Sequence, residues 1–359
     1  MNPRLTLIAL ASLAALGTAF AGPAEADRAE KSYQLAVDQW NQSVNAATTP
    51  EARAKAEEAR PDATAAARQM WQSIGASLNE EWTLDYAAWF LQLTPNLRTT
   101  QPDGSTPLTF SKERATILST VEAKHLQSAK LADFCYALTF SPDPRTISIL
   151  DKIQTTNPDP KVQGIAALCY SISLKTLGDD GEIMRKRLTA LRKAIIQSSD
   201  VELNGTPIPK IAEDELYIIR YLTKGRIAPD LKGVDSGDRP LSLSSHAGKI
   251  VVLMFWNSNM QDGTRVVEIT NRLAEKFKDK PFVVVGVNGD SVETLRNLEG
   301  ANTVTWRNFS DPTQQLAKEY RVTAVPLVYV LDGERKIHYA GGPGSFVELT
   351  AEALLSGVK

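Results

Sequence analysis

Apolar residues recur along the first two thirds of the chain at helical spacing. Tyr33, Leu35, Ala36, Trp40 and Val44 share one face of a helix. Pro50 and Pro61 interrupt the pattern, and 66–74 and 84–93 resume it. The polar stretch 96–109, with Asp103-Gly104 as a turn signal, reads as a loop. Helices are then expected at 113–121, 128–138, 146–155, 160–177, 184–197 and 213–223. Near Gly225 the pattern changes to short apolar runs alternating with amphipathic stretches. Strands are expected at 250–255, 282–287, 305–309, 327–331 and 336–339. Helices fall at 264–277, 291–298, 313–320 and 346–355. This alternation, closing on a hairpin and a helix, predicts an α/β domain with a mixed sheet. The fold class is therefore α + α/β, with an all-helical domain over 22–224 and a second domain over 225–359.

Two punctuation marks in the helical part resemble each other. Ser141-Pro142-Asp143-Pro144 and Asn157-Pro158-Asp159-Pro160 each offer a polar cap and a proline suited to a first helical turn. The runs 134–138 and 168–172 also echo each other at an offset of 34 residues, a period that suits helix pairs. A short helical repeat with a partner groove and a plain bundle packed on the second domain both remain open.

The first 21 residues stand apart. A basic start (Arg4), an apolar run from Leu5 to Leu16 and Ala19-Phe20-Ala21 form a secretory signal peptide, with cleavage expected after Ala21. The run is shorter than the roughly 20 residues that a membrane span needs, and no cysteine follows it for lipid attachment. The mature chain is expected in the periplasm or outside the cell, not spanning a membrane. Among 359 residues, 43% are apolar and 23% charged, and the formal charge is −2, so no basic surface calls for nucleic acid. The two cysteines, Cys135 and Cys169, lie in apolar helical runs. A disulfide between them and two inert core thiols both stay open, the second preferred.

Several motifs of the second domain carry a family likeness. Ala228-Pro229-Asp230, Leu241-Ser242-Leu243 and 248–253 resemble the opening of TlpA/ResA-like thioredoxins of the redoxin (AhpC/TSA) superfamily. Phe255-Trp256 resembles the end of their first central strand, and 281–288 their second. The segment 320–326 is similar to the one that carries the fold's cis-proline, here Pro326, and Leu331-Asp332-Gly333 to the turn beyond it. The helical region resembles, less specifically, the extension of larger envelope TlpA-like proteins. The resemblance implies a thioredoxin-like fold and, in the family, thiol-disulfide oxidoreductase chemistry.

That chemistry needs a thiolate to attack sulfur and a second thiol to resolve the mixed disulfide. The family's Cys-x-x-Cys is missing. Met260 and Gly263 stand at the two cysteine positions, and Asn259 replaces the preceding tryptophan. No cysteine lies in 225–359, so neither disulfide exchange nor peroxide attack has a nucleophile there. What the resemblance leaves is recognition. Backbone at Val325 beside Pro326 would pair with an extended segment, and Trp256, Asn259 and Met260 would line the nearby surface. Core roles for Trp256 and Pro326 remain open, and Asp262 is expected to cap the following helix. His125, His246 and His338 share no ligand spacing and read as surface or capping residues, so neither metal nor cofactor is expected. Gly341-Gly342-Pro343-Gly344 reads as a turn. A binding or scaffold module for an envelope protein or extended peptide is the first expectation. The alternatives are an oxidoreductase using Cys135 and Cys169 or a partner's cysteines, and a structural or oligomerisation unit. The oligomeric state is open.

Overall fold

A computed structural model describes residues 22–47, 49–260 and 262–357. The expected signal peptide lies outside them. The chain divides into two compact units. One holds residues up to Ser173 together with Ile196–Gly205, and the other Leu174–Ile195 together with Thr206–Lys359.

The first unit is built from helices α1 (Pro23–Ala46), α2 (Pro50–Glu58), α3 (Ala63–Ile74), α4 (Leu84–Leu93), α5 (Ser111–Lys124), α6 (Ala132–Leu138), α7 (Arg145–Thr156) and α8 (Pro160–Leu174), with the short strand β1 (Glu202–Leu203). Local chemistry sets several starts. The Thr49 hydroxyl accepts from Ala52 N at the head of α2, and the Asp62 carboxylate accepts from Thr64 N and Ala65 N at the head of α3. Met70, Ile74, Leu84, Phe90, Leu91 and Ile117 are fully buried. The two Pro-Asp-Pro loops share one hydrogen-bond scheme. Ser141 and Asn157 each accept from the amide two residues on, and so do Asp143 and Asp159. Each loop is also held from outside, Ser141 by Arg114 and Asn157 by the carbonyls of Leu126 and Ser128.

Two expectations are corrected in this unit. The helix expected from residue 128 begins at Ala132, because the Ser128 hydroxyl binds Lys130 N and the Glu81 carboxylate and so turns the chain first. His125, expected as a surface or capping residue, holds the C-cap of α5 but does not lie at the surface. Its ring is buried, with Nε2 2.8 Å from Leu78 O. The loop at 96–109 keeps its irregular course, closed by one antiparallel bridge between Arg98 and Leu108.

The second unit takes most of α9 (Gly181–Gln197), then β2 (Thr206–Pro207) and α10 (Ile208–Tyr221). It continues through β3 (Lys232–Val234), β4 (Pro240–Ser242), β5 (Ile250–Trp256), α11 (Gly263–Lys276), β6 (Phe282–Asn288), α12 (Val292–Gly300), β7 (Arg307–Ser310), α13 (Gln315–Glu319), β8 (Leu327–Leu331), β9 (Ile337–Gly341) and α14 (Ser345–Leu355). The main sheet has the order β7-β6-β5-β8-β9. β5 runs parallel to β6, from Ile250↔Phe282 to Trp256↔Asn288, and antiparallel to β8. All seven residues of β5 are buried, which explains its unbroken apolar run. Ile250, Val252, Met254 and Trp256 meet α11 and α14 on one face. Val251, Leu253 and Phe255 meet Leu241, Phe309, Leu316 and Tyr320 on the other, where Tyr217, Ile218 and Tyr221 of α10 also pack.

Both edges of this sheet are engaged. The β3–β4 hairpin is fastened to β7 through Asp235, whose carboxylate receives Gly237 N, Arg239 N and the Arg239 and Arg307 guanidinium groups. On the far side, Gly225 and Arg226 exchange hydrogen bonds with Ile337, and Ala228 N donates to Arg335 O.

A buried amide ties the sheet's centre to its edge. Asn308 of β7 is fully buried. Its Oδ1 accepts from the indole N–H of Trp256 and of Trp306, each at 3.0 Å. Its Nδ2 donates to Glu299 and to Trp306 O. Gly286 of β6 lies between them, and a Cβ there would stand 1.9 Å from Asn308 Oδ1 and 2.8 Å from Trp256 Nε1. Gly286→Ala is therefore expected to lower stability by about 3 kcal/mol, through overpacking and the displaced indole bond, read as the shift in a urea midpoint. A second expectation concerns pH. Burial pushes the Asp235 carboxyl up, but bonds from Arg239 N, Gly237 N and Arg307 outweigh it and hold the pKa below the usual value. Its contribution is complete above the unfolded carboxylate's pKa of about 4 and is lost as pH falls through the lower folded value. Asp235→Asn is expected to cost about 2 kcal/mol at neutral pH. The gap between variant and wild type should close in strong acid.

Candidate functional site

The site sits where β5 ends. Beyond Trp256 the chain makes successive turns, Met260 N to Asn257 O at 3.3 Å and Gly263 N to Met260 O at 3.1 Å, and then enters α11. The loop is pinned from β6. Ser258 gives its amide (2.8 Å) and hydroxyl (2.9 Å) to the Asp290 carboxylate, which also receives Asn288 Nδ2 at 2.9 Å. Asn259 is exposed, its amide held by Asn257 Oδ1.

Met260 and Trp256 do not present a surface. Met260 is 8% exposed and packs with Trp256, Val266 and Val267 in the core between sheet and helices. A thioether gains more from apolar burial than from water, and the Asp290 clasp holds the loop where that burial is available. Trp256 is 1% exposed and spends its N–H on Asn308, the core role. Asp262 occupies the N-cap of α11 but makes no capping bond, because its backbone is left-handed (φ 55) rather than extended. Gly263 keeps close quarters. A Cβ there would stand 3.3 Å from Ser258 O and 3.5 Å from Met260 Cγ.

Next to this loop runs Val322–Pro326, with a cis bond between Val325 and Pro326. Thr323 and Ala324 are exposed, and Val325 and Pro326 are half-buried. Among the described residues, no hydrogen bond reaches the backbone N–H of Thr323, Ala324 or Val325. A pocket of about 210 Å³ opens beside them. Phe255 and Val287, both buried, floor it, and Ala317, Val322 and Val325 wall it. Of the residues singled out from sequence, Trp256 and Val325 border this pocket. Met260 joins them in the neighbouring core, and Asn259 stands apart at the loop tip.

The two cysteines lie elsewhere, Cys135 on α6 and Cys169 on α8, both free and fully buried. Burial pushes both thiols well up, and Cys169 raises Cys135 further. Neither offers a thiolate at neutral pH. Among the described residues, no group of three or more His, Cys, Asp or Glu could hold a metal ion, and no helix is long and apolar enough to cross a membrane. Sequence reading missed Asp290, Asn308, Asp311 and Arg321. Asn308 carried no clear signal, because its strand neighbours Arg307 and Ser310 are polar too and only its burial demands partners for the amide.

Residues 224–340 match the AhpC/TSA family. Among curated proteins, the chain is similar to the chloroplastic peroxiredoxin Q of Sedum lineare, 32% identical over 106 residues, covering 29% of this chain and 57% of that protein. It is also similar to chloroplastic peroxiredoxin Q of Oryza sativa subsp. japonica, 26% identical over 140 residues, covering 37% and 64%. The matched stretch is thus less than two thirds of either relative's length. Two solved structures align with it. One is the thioredoxin domain of a thiol-disulfide oxidoreductase from Bacteroides vulgatus (23% identity, TM-score 0.34, 37% of this chain and 98% of that one). The other is a thiol:disulfide interchange protein from Bacteroides sp. (25%, 0.34, 38% and 93%). Residues 224–340 are thus similar to the AhpC/TSA redoxins, and the observed sheet gives this part of the chain a thioredoxin-like fold.

Proposed function

We propose that this chain is an exported redoxin that no longer exchanges disulfides and instead binds an extended segment of an envelope protein. The observation that carries the reading is the pairing of a kept recognition edge with a missing nucleophile. Thr323, Ala324 and Val325 offer unpaired backbone amides beside the end of β5, and the loop that would carry sulfur holds a buried Met260 and Gly263. Strand addition needs backbone donors and acceptors and no cysteine. Residues 22–224 form the helical extension in this reading, and the protein acts after removal of residues 1–21.

A thiol-disulfide oxidoreductase is the second reading, supported by the family match. It requires Cys135 and Cys169, whose burial opposes attack on any substrate, or cysteines from a partner.

A dithiol-driven disulfide-reduction assay separates the two. The wild type is expected to be silent. Met260→Cys with Gly263→Cys should be active, because residue 260 Cγ, the place a cysteine sulfur would take, already lies 3.5 Å from a Cβ at 263. An active wild type that loses activity with Cys135→Ser would reverse the assignment. The binding claim is checked with a photo-crosslinking residue at Ala324 and, as control, at Glu334. The Ala324 position should capture an envelope protein and the control should not, and the recovered chain should begin at Gly22. Equal capture at both positions would remove the recognition edge.

A further inference from the structure

Two Asn-Gly pairs occur in the sequence, Asn204-Gly205 and Asn288-Gly289, and the fold holds them in opposite ways. In this dipeptide the side-chain amide is unusually open to attack by the next backbone nitrogen, because glycine has no Cβ to block the approach. Asn204 and Gly205 form the two-residue turn between β1 and β2. Both take left-handed backbone angles (φ 50 and φ 73), which suit such a turn. Both are exposed, as are Thr206 and Pro207. Among the described residues, no hydrogen bond holds the Asn204 side chain or Gly205 N.

Asn288 is the reverse case. It is fully buried at the end of β6. Its Nδ2 donates to Asp290 Oδ2 at 2.9 Å, and its Oδ1 accepts from Asp290 N at 3.1 Å. Gly289 N, the nitrogen that would attack, donates instead to Trp256 O at 3.0 Å. No reaction can begin at this pair until that network opens. The turn at 204 has far less to open. β1 and β2 have two residues each, and Pro207 has no N–H to give to the ladder. Hairpins this small are marginal on their own, and exposed elements of this kind open at the low end of a protein's stability range. A small local opening is enough to bring Gly205 N onto Asn204 Cγ.

We propose that Asn204 is a site of spontaneous covalent modification, with water as the co-reactant. Gly205 N attacks Asn204 Cγ, so a C–N bond forms and the Cγ–NH2 bond breaks. Ammonia leaves, carrying the Gly205 amide proton. Water then opens the succinimide. Opening on the Cγ side gives aspartate at 204, and opening at the main-chain carbonyl gives isoaspartate. Nothing is oxidised or reduced. Either product adds a negative charge to the turn. Isoaspartate also inserts a main-chain methylene, which a two-residue turn cannot absorb without losing the strand register it sets.

The test holds the full chain in warm, mildly alkaline buffer and follows each asparagine by peptide mass spectrometry, which reads the exchange of NH2 for OH. An isoaspartyl methyltransferase assay reports the rearranged product. Asn204 is expected to convert first. Asn288 should convert roughly a hundredfold more slowly, since its three hydrogen bonds, counting that of Gly289 N, must break before it reacts. In concentrated urea the two rates should converge, because only the fold separates the pairs. Asn204→Gln should abolish conversion at that position, since glutamine must close a larger ring. In the isoaspartyl form, hydrogen exchange at Leu203 and Thr206 should speed up while exchange along β6 stays as it was. Equal rates at the two pairs in the folded chain, or a faster Asn288, would overturn the assignment. So would an Asn204 that stays unchanged in the folded chain yet converts in urea, because the turn would then protect it.

Discussion

The carboxamide of Asn308 is the point on which the thioredoxin-like unit turns. One oxygen serves two indoles, and the nitrogen serves a carboxylate and a main-chain carbonyl, so every polar group in that buried space is paired. The arrangement reaches from β7 across β6 to the last residue of β5, and it is possible only because β6 places a glycine between them. It fixes Trp256, and with Trp256 the place where the chain leaves the sheet. An unsatisfied buried donor costs about 1–3 kcal/mol, so losing either partner here is expensive. The loop that follows inherits its position from a hydrogen bond formed two strands away.

The strand end is filled by packing as well: Met260 joins the core beside Trp256, and Ser258 is clasped by Asp290. The strand end is therefore held by packing and by one carboxylate. The segment Val322–Pro326 opposite is held by different means, through Arg321 and α10. The two neighbouring loops thus have independent supports.

The sequence was most legible where a single physical rule dominated. The all-apolar run of β5, the hairpin after Leu331 and the helix patterns were readable because burial on two faces, turn chemistry and helical periodicity each leave a local mark. The errors came where a distant partner decided the outcome. Ser128 looked helical until Glu81 and Lys130 claimed its hydroxyl, and His125 looked exposed until Leu78 O supplied a buried acceptor. Asp262 had the right residue type for a cap and the wrong backbone angle, which composition cannot reveal. Met260 was expected to line the nearby surface but packs inward in the core beside Trp256. Arg321 carried no local signal at all, since its three partners lie on α10 and at the end of α13.

The fastened edges of the main sheet bear on how such a protein survives at high concentration. Unpaired strand edges are templates for pairing with other chains and for aggregation. Here the hairpin locked by Asp235 and Arg307 screens one margin, and the segment from Gly225 to Ala228 bonds part of the other. With both margins blunted, adhesion between copies is discouraged. The exposed backbone that remains at Thr323–Val325 is short, curved and next to a proline, a poor seed for a growing sheet. A stretch of that kind gives neighbouring copies little to pair with.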